Sequence, residues 1–109
     1  MKIIKKDKSI CINGKEICFH DNIDAILTFP RYCVVLVMND DIPDNNVEAF
    51  DYNGEKVWNI SEIIKMKNPE AYVFLEKESE TTFSIVSYNG VKFIIDTQIN
   101  QIISKNITR

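Results

Sequence analysis

Apolar residues occur along the chain in short runs and alternations that are separated by polar turn residues. The longest run, residues 33–38, has the length of one buried strand. Asn-Gly pairs at residues 13–14, 53–54 and 89–90 lie between such runs and account for all three glycines. A two-residue type I′ hairpin loop needs positive φ at both central positions, which Asn tolerates and Gly adopts freely. The pattern therefore predicts an all-β chain of antiparallel hairpins with little helix.

Segments of the first half resemble segments of the second half in the same order. The matched pairs are residues 22–27 with 59–64, 30–37 with 69–75, and 46–54 with 82–90. An offset of about 38 residues is typical of a repeated supersecondary unit, although chance similarity between β-rich segments is the alternative. We predict a single domain, residues 1–109, with a weak internal repeat. It would contain two tandem four-stranded antiparallel blade-like units, at about residues 16–54 and 55–90, plus terminal strands.

The strands of each unit follow from the apolar runs. The predicted strands are 16–20, 24–28, 32–38 and 47–52 in the first unit, 56–60, 62–66, 72–77 and 82–88 in the second, and 9–12, 91–96 and 101–104 outside them. Ser61 could instead cap a short helical turn over the segment predicted as strand 62–66.

Type I′ loops would also fix the register of each hairpin. The cross-strand pairs predicted in this way include Cys11–Glu16, Ala49–Trp58, Phe50–Val57 and Ile85–Ile94. Both faces of the second and third hairpins then carry apolar residues, so these sheets need cover on both sides. We expect the two units to pack as a sandwich or to form one long bent sheet.

The segment Ala49-Phe-Asp-Tyr-Asn-Gly-Glu-Lys-Val-Trp58 contains a strand ending near Ala-x-Asp, a turn at Gly and a return with Trp. In this it resembles the blade repeat of quinoprotein-type β-propellers. The resemblance implies a blade-like order of strands. It implies no quinone cofactor, and two units cannot close a ring because propellers need at least about four blades.

Composition adds an acidic, globular character. Apolar residues make up 45% and charged residues 27% of the chain, and the formal net charge is −3. The charge disfavours nucleic-acid binding. No apolar stretch approaches the roughly 18 residues that span a bilayer, and no signal-peptide core follows the N-terminal lysines. We expect a cytoplasmic protein with no membrane partner and, given an odd number of cysteines, free thiols.

Residues that could support catalysis are few. Cys18 and His20 would share one face of a strand, and Cys33 is a further thiol. His20 is the only histidine, and the chain has no metal-ligand spacing and no phosphate-binding glycine loop. We therefore expect no enzymatic activity, metal or cofactor. The alternative is a thiol-dependent or metal-assisted enzyme that uses Cys18, His20 or Cys33.

Acidic residues form the remaining candidate site. They occupy corresponding places in the two predicted units and could form a rim that steers a basic partner, although ordinary solubility would also explain them. The predicted rim consists of Asp40, Asp41, Asp44, Glu48, Glu76, Glu78 and Glu80. We expect a non-catalytic protein-binding module, most concretely an immunity-type or antitoxin-like inhibitor of a basic bacterial toxin. A structural β module that self-associates or completes a larger assembly is the other alternative.

Overall fold

The computed structural model describes residues 3–38, 46–65, 67 and 70–107. These residues form eleven strands and one short 3-10 helix, so the predicted all-β class is confirmed. The strands are β1 (Ile3–Lys5), β2 (Ser9–Ile12), β3 (Lys15–Cys18), β4 (Ile23–Thr28), β5 (Cys33–Val37), β6 (Val47–Phe50), β7 (Lys56–Asn59), β8 (Tyr72–Lys77), β9 (Thr82–Ser87), β10 (Val91–Asp96) and β11 (Gln101–Ile107).

The strands form three antiparallel sheets, in which each strand pairs with its neighbours in sequence. The N-terminal sheet contains β1–β3, the middle sheet β4–β7 and the C-terminal sheet β8–β11. The prediction of two four-stranded units needs correction. The two four-stranded sheets, the middle and the C-terminal sheet, begin at Ile23 and Tyr72 rather than near residues 16 and 55. Apolar patterning locates strands, but it does not determine where one sheet ends and the next begins.

The middle sheet lies between the other two, and β5 shows why. All five residues of β5 are buried, and they alternate between two cores. Val34 and Leu36 pack in the core shared with the C-terminal sheet, whereas Cys33, Val35 and Val37 pack in the core that includes the N-terminal sheet. A strand that is buried on both faces is expected to be a continuous apolar run, as β5 is.

Aromatic residues dominate the core between the middle and C-terminal sheets. Trp58 on β7 stacks on Phe83 on β9, with ring centroids 6.2 Å apart and an interplanar angle of 8°. Tyr32 packs edge-on against the same indole at 5.8 Å. Since aromatic pairs of this geometry add to the free energy gained by burial, Trp58 is a central packing residue.

The first Asn-Gly hairpin has the predicted geometry. Asn13 and Gly14 have φ values of 48° and 92°, as a type I′ loop requires. Cys11 consequently opposes Glu16, and all three cysteines are free.

The second and third Asn-Gly hairpins differ from the prediction. Only their glycines, Gly54 and Gly90, have positive φ. The Gly54 N–H donates to the carbonyl of Asp51, and the Gly90 N–H donates to that of Ser87, as in a type I turn closed by a left-handed glycine. These turns are longer than a two-residue loop and shift the pairing of the strands.

The shifted register changes which side chains share a face. Ile85 opposes Phe93 rather than Ile94, and Phe50 opposes Lys56 rather than Val57. Ala49 still opposes Trp58, as predicted, because a bulge follows Ala49.

Side-chain hydrogen bonds in the turns explain the shifted register. The Asp51 Oδ1 accepts hydrogen bonds from the N–H groups of residues 53 and 55. The Ser87 Oγ accepts one from the N–H of residue 91.

The predicted strand 62–66 is wrong over its described residues. A 3-10 helix, Ile60–Glu62, occupies this place. Asn59 caps it by accepting a hydrogen bond from the Ser61 N–H at 3.2 Å, and Glu62 accepts one from the Asn59 N–H at 2.8 Å. This reciprocal capping box stabilises a helical turn, and its cap is Asn59 rather than Ser61. Within the described parts of the chain, no helix has the length and apolar character to cross a membrane.

Candidate functional site

Of the four members of the predicted acidic rim that the structure describes, Glu48 is separated from Glu76, Glu78 and Glu80. Asp40, Asp41 and Asp44 lie outside the described residues. Glu48 is half-buried on β6 and forms an ion pair with Lys56 at 2.5 Å. It opposes Val35, so it is directed toward the N-terminal sheet.

The other three predicted carboxylates belong to the C-terminal sheet. Glu76 opposes Ser84 on the face that points away from the middle sheet. Glu78 lies 3.8 Å from the Lys92 ammonium, and Glu80 is exposed in the β8–β9 turn. Glu48 and Glu76 therefore face different sides of different sheets. The role of all seven residues in partner binding stays a prediction.

The thiols and the histidine are spread over two environments. Cys33 is fully buried, and burial raises the pKa of its thiol to about 11. Cys18 and His20 are exposed, and no hydrogen bond joins them. Within the described ranges, no group of three His, Cys, Asp or Glu side chains is arranged to hold a metal ion.

A cleft between the middle and C-terminal sheets brings together carboxylates and exposed apolar groups. Its volume is about 240 Å³. Asp21 in the β3–β4 connection and Asp24 on β4 lie on one side, and Val73 on β8 and Tyr88 after β9 lie on the other. Met38, the residue after β5, also lines it.

Two β-bulges direct side chains into this cleft. The register of β4 shifts between Ile23 and Ala25, and the register of β8 shifts between Tyr72 and Phe74. Asp24 and Val73 are the bulged residues at these shifts, because neither has an opposed residue on the neighbouring strand. Each lies on the first strand of a four-stranded sheet. Bulges re-aim side chains and are frequent next to functional sites. The two bulges therefore place a carboxylate and an apolar group in one cleft.

The wall behind the cleft is held by the buried side chain of Asn46. Its Nδ2 donates hydrogen bonds to the carbonyls of Val37 at 3.0 Å and Tyr72 at 2.8 Å. Its Oδ1 accepts one from the Tyr72 N–H at 3.1 Å. One side chain thus fastens β5 of the middle sheet to β8 of the C-terminal sheet, and it keeps the cleft walls at a fixed spacing.

The cleft suits a cation with an apolar stem. Met38, Val73 and Tyr88 are 53%, 49% and 76% exposed, which leaves apolar surface beside the carboxylates. Asp21 is held in place because its Oδ1 accepts a hydrogen bond from the Asn22 N–H at 2.7 Å. A lysine or arginine side chain presents an aliphatic stem and a charged head, and Tyr88 could add a cation–π contact. The volume lies below the roughly 300–1,000 Å³ of sites for drug-sized ligands, so one side chain is the matching occupant.

Sequence reasoning missed Asp21, Asp24 and Tyr88 as site residues. Asp21 precedes Asn22 in a polar turn, and Tyr88 precedes an Asn-Gly pair. Both patterns are explained by turn formation. Only the packing of β4 and β5 against β8 brings these residues together.

Comparison with solved structures supports the blade-like order of strands. A structure described as "Dihydro-heme d1 dehydrogenase NirN in complex with DHE", a β-propeller-type protein, aligns with 95% of this chain at a TM-score of 0.53 and 17% sequence identity. The chain spans only 24% of the length of that protein. The likeness concerns the fold, and it agrees with the position of residues 49–58 in β6, β7 and their turn.

Comparisons of sequence give the family. None of the curated proteins matches the chain. The family model described as "Domain of unknown function (DUF7957)" matches residues 1–107. The chain therefore belongs to the DUF7957 family.

Proposed function

We propose that this protein is a non-catalytic binding module that holds a basic side chain of a partner protein in the cleft between its middle and C-terminal sheets. The observation that carries this proposal is the pair of bulges that direct Asp24 and Val73 into one cleft with Asp21 and Tyr88. Opposed carboxylate and apolar walls complement a lysine or arginine side chain.

The environment of the thiols supports binding rather than nucleophilic catalysis. A catalytic cysteine needs a depressed pKa and access to substrate, whereas Cys33 is buried and its pKa is raised. Cys18 is accessible, but no hydrogen bond connects it to His20 as the partner that would activate it.

A narrower form of the proposal is an immunity-type inhibitor of a basic toxin. Its support is the charge of the chain, −3, together with the two carboxylates of the cleft. Electrostatic attraction of this kind raises association rates with basic partners.

A second candidate is a structural module within a larger β assembly. The specific observation in its favour is that the outer face of the C-terminal sheet carries Phe74, Val86 and Ile94 in neighbouring positions. Phe74 is 48% exposed. A further sheet packed on this face would cover it.

Nuclear magnetic resonance can test the cleft with a small probe. Uniformly ¹⁵N-labelled protein is titrated with N-acetyl-argininamide and, in parallel, with N-acetyl-norleucinamide, which has an apolar stem and no charge. We expect saturable shifts at residues 21, 24, 73 and 88 with the arginine compound, with a dissociation constant of roughly 1–10 mM. The norleucine compound should give much smaller shifts.

Matched variants make this test specific. Asp21→Asn combined with Asp24→Asn should weaken arginine binding at least fivefold, while Glu80→Gln, an exposed carboxylate at the opposite end of β9, should leave it unchanged. Equal shifts with both probes, or equal arginine binding by the double variant and the wild type, would contradict the proposal that the cleft binds a basic side chain.

Light scattering tests the second candidate function, a structural module. This candidate predicts a discrete oligomer that Phe74→Glu disrupts.

A further inference from the structure

A second groove lies along the inner face of β11 and has the opposite charge. Its volume is about 560 Å³. The apolar lining consists of Ile64, Val91, Phe93 and Ile102, and the polar lining consists of Lys65, Lys67, Lys105, Glu70 and Asn89.

The groove exists because β11 extends the C-terminal sheet beyond the cover of the middle sheet. Ile102 opposes Ile95, and Lys105 opposes Phe93, so both are placed on the inner face. Phe93 and Ile95 are buried in the core, whereas Ile102 and Lys105 are exposed. The apolar inner face therefore continues past the core and reaches solvent at β11.

The charges of the groove are mostly positive, although the chain as a whole is acidic. Lys105 Nζ lies 5.7 Å from the centroid of the Phe93 ring, and Lys65 Nζ donates a hydrogen bond to the Ser61 carbonyl at 2.8 Å. These contacts hold two ammonium groups beside the apolar lining. Glu70 is the one carboxylate among the described lining residues, and Asn89 donates hydrogen bonds to both of its oxygens. An acidic group is the complementary occupant.

The same strand is also an open edge. Among the described strands, β11 pairs with β10 alone. An edge strand presents backbone donors and acceptors to any chain that lies beside it, and natural proteins usually guard such edges with charged residues. Lys105 is the single charged residue in the seven residues of β11, and Ile103 and Ile107 are 54% and 65% exposed.

From these three features we propose that β11 receives an extended acidic–apolar segment of a partner protein as a fifth strand of the C-terminal sheet. Backbone hydrogen bonds hold the segment against β11. The side chains of the segment that face the groove, at alternate positions, are apolar over Phe93 and Ile102 and acidic opposite Lys105. This site is separate from the acidic cleft and does not depend on it.

Fluorescence anisotropy with a designed probe tests the proposal. The probe is a fluorescein-labelled hexapeptide with two isoleucines and one glutamate at the alternate positions that face the groove, and threonine at the positions between them. We expect saturable binding that weakens at least fivefold in Lys105→Glu and stays unchanged in Lys8→Glu, which makes the same charge change in the turn between β1 and β2. A hexapeptide with lysine in place of glutamate should not bind. Two further hexapeptides are N-methylated on alternate residues, one at the odd positions and one at the even positions. One of the two should lose binding, because its methyl groups replace the N–H groups that would donate hydrogen bonds to β11.

Three outcomes would overturn the proposal. The first is equal binding of the acidic and basic peptides, and the second is full binding of both N-methylated peptides. The third is a different occupant: dodecanoate binding in the groove without peptide binding would indicate a small amphiphile, and a dimer that Lys105→Glu dissociates would indicate a second copy of the chain. Thermal melts of the two lysine variants establish that both are folded.

Discussion

The middle and C-terminal sheets have the same number of strands, yet their strands are covered to different extents. Residues of β5 in the middle sheet are all buried, whereas six of the seven residues of β11 are exposed. Seven of the ten exposed large hydrophobic side chains among the described residues lie between Tyr72 and Ile107. The middle sheet packs against a core on both faces, whereas the C-terminal sheet packs on one face and leaves apolar surface exposed on the other and along β11.

Truncation of core and surface aromatic residues gives the largest expected contrast between the sheets. Trp58→Ala should lower the free energy of unfolding by about 3–5 kcal/mol, because it removes the ring that packs on Phe83 and Tyr32. Phe74→Ala on the outer face should cost about 1 kcal/mol or less. Urea unfolding followed by circular dichroism measures both, and comparable losses would contradict the assignment of the two faces.

The Asn46 clamp gives the next largest effect. Asn46→Ala leaves the carbonyls of Val37 and Tyr72 without these hydrogen bonds and should cost about 1–3 kcal/mol. The exposed Asn106→Ala is the matched control and should change stability little. If Asn46→Ala were as mild as its control, the cleft would not depend on a rigid junction between the sheets.

The pH dependence of stability should report the burial of Cys33. Its pKa is about 11 in the folded protein and near 9 in the unfolded chain, so the folded state retains the proton more strongly. Stability from this thiol is fully present below pH 9 and is lost as the pH rises toward 11. Unfolding free energies of the wild type and Cys33→Ala, compared between pH 8 and 11, should converge as the pH rises. Parallel curves would mean that Cys33 is not buried as a neutral thiol.

Thiol alkylation should show the smallest but simplest difference. Iodoacetamide at pH 8 should modify Cys18 in the native protein, since it is exposed, and should reach Cys33 only after unfolding. Mass spectrometry of peptides identifies the modified residue. Rapid native modification of Cys33 would place the middle sheet nearer the surface than the structure does.

The local pattern of apolar and polar residues predicts where the strands lie, but it does not predict the turn type and register of two of the three Asn-Gly hairpins. The bounds of β2, β8 and β10 follow directly from apolar runs and turn residues. The register of two hairpins does not, because Asp51 and Ser87 accept backbone hydrogen bonds and select a longer turn than Asn-Gly alone would. A side-chain acceptor before Tyr-Asn-Gly is the signal that could have revealed this.

The candidate cleft was beyond prediction for a different reason. Asp21, Asp24, Val73 and Tyr88 meet through long-range packing of β4 against β8, and two of them lie at bulges. Bulges follow from the fit between neighbouring strands, and no local pattern in the sequence marks them. Glu48 and Glu76 occupy corresponding places in the two predicted units, but the order of the sheets separates them.

Native-state hydrogen exchange tests the division between the two sheets most directly. We predict that the hydrogen-bonded amides of β5 exchange only through global unfolding, with an opening free energy equal to that from urea unfolding. Amides of β11 should exchange through local opening at a free energy several kcal/mol lower. Equal protection of β5 and β11 would contradict the account, because it would mean that the C-terminal edge is as well covered as the centre of the molecule.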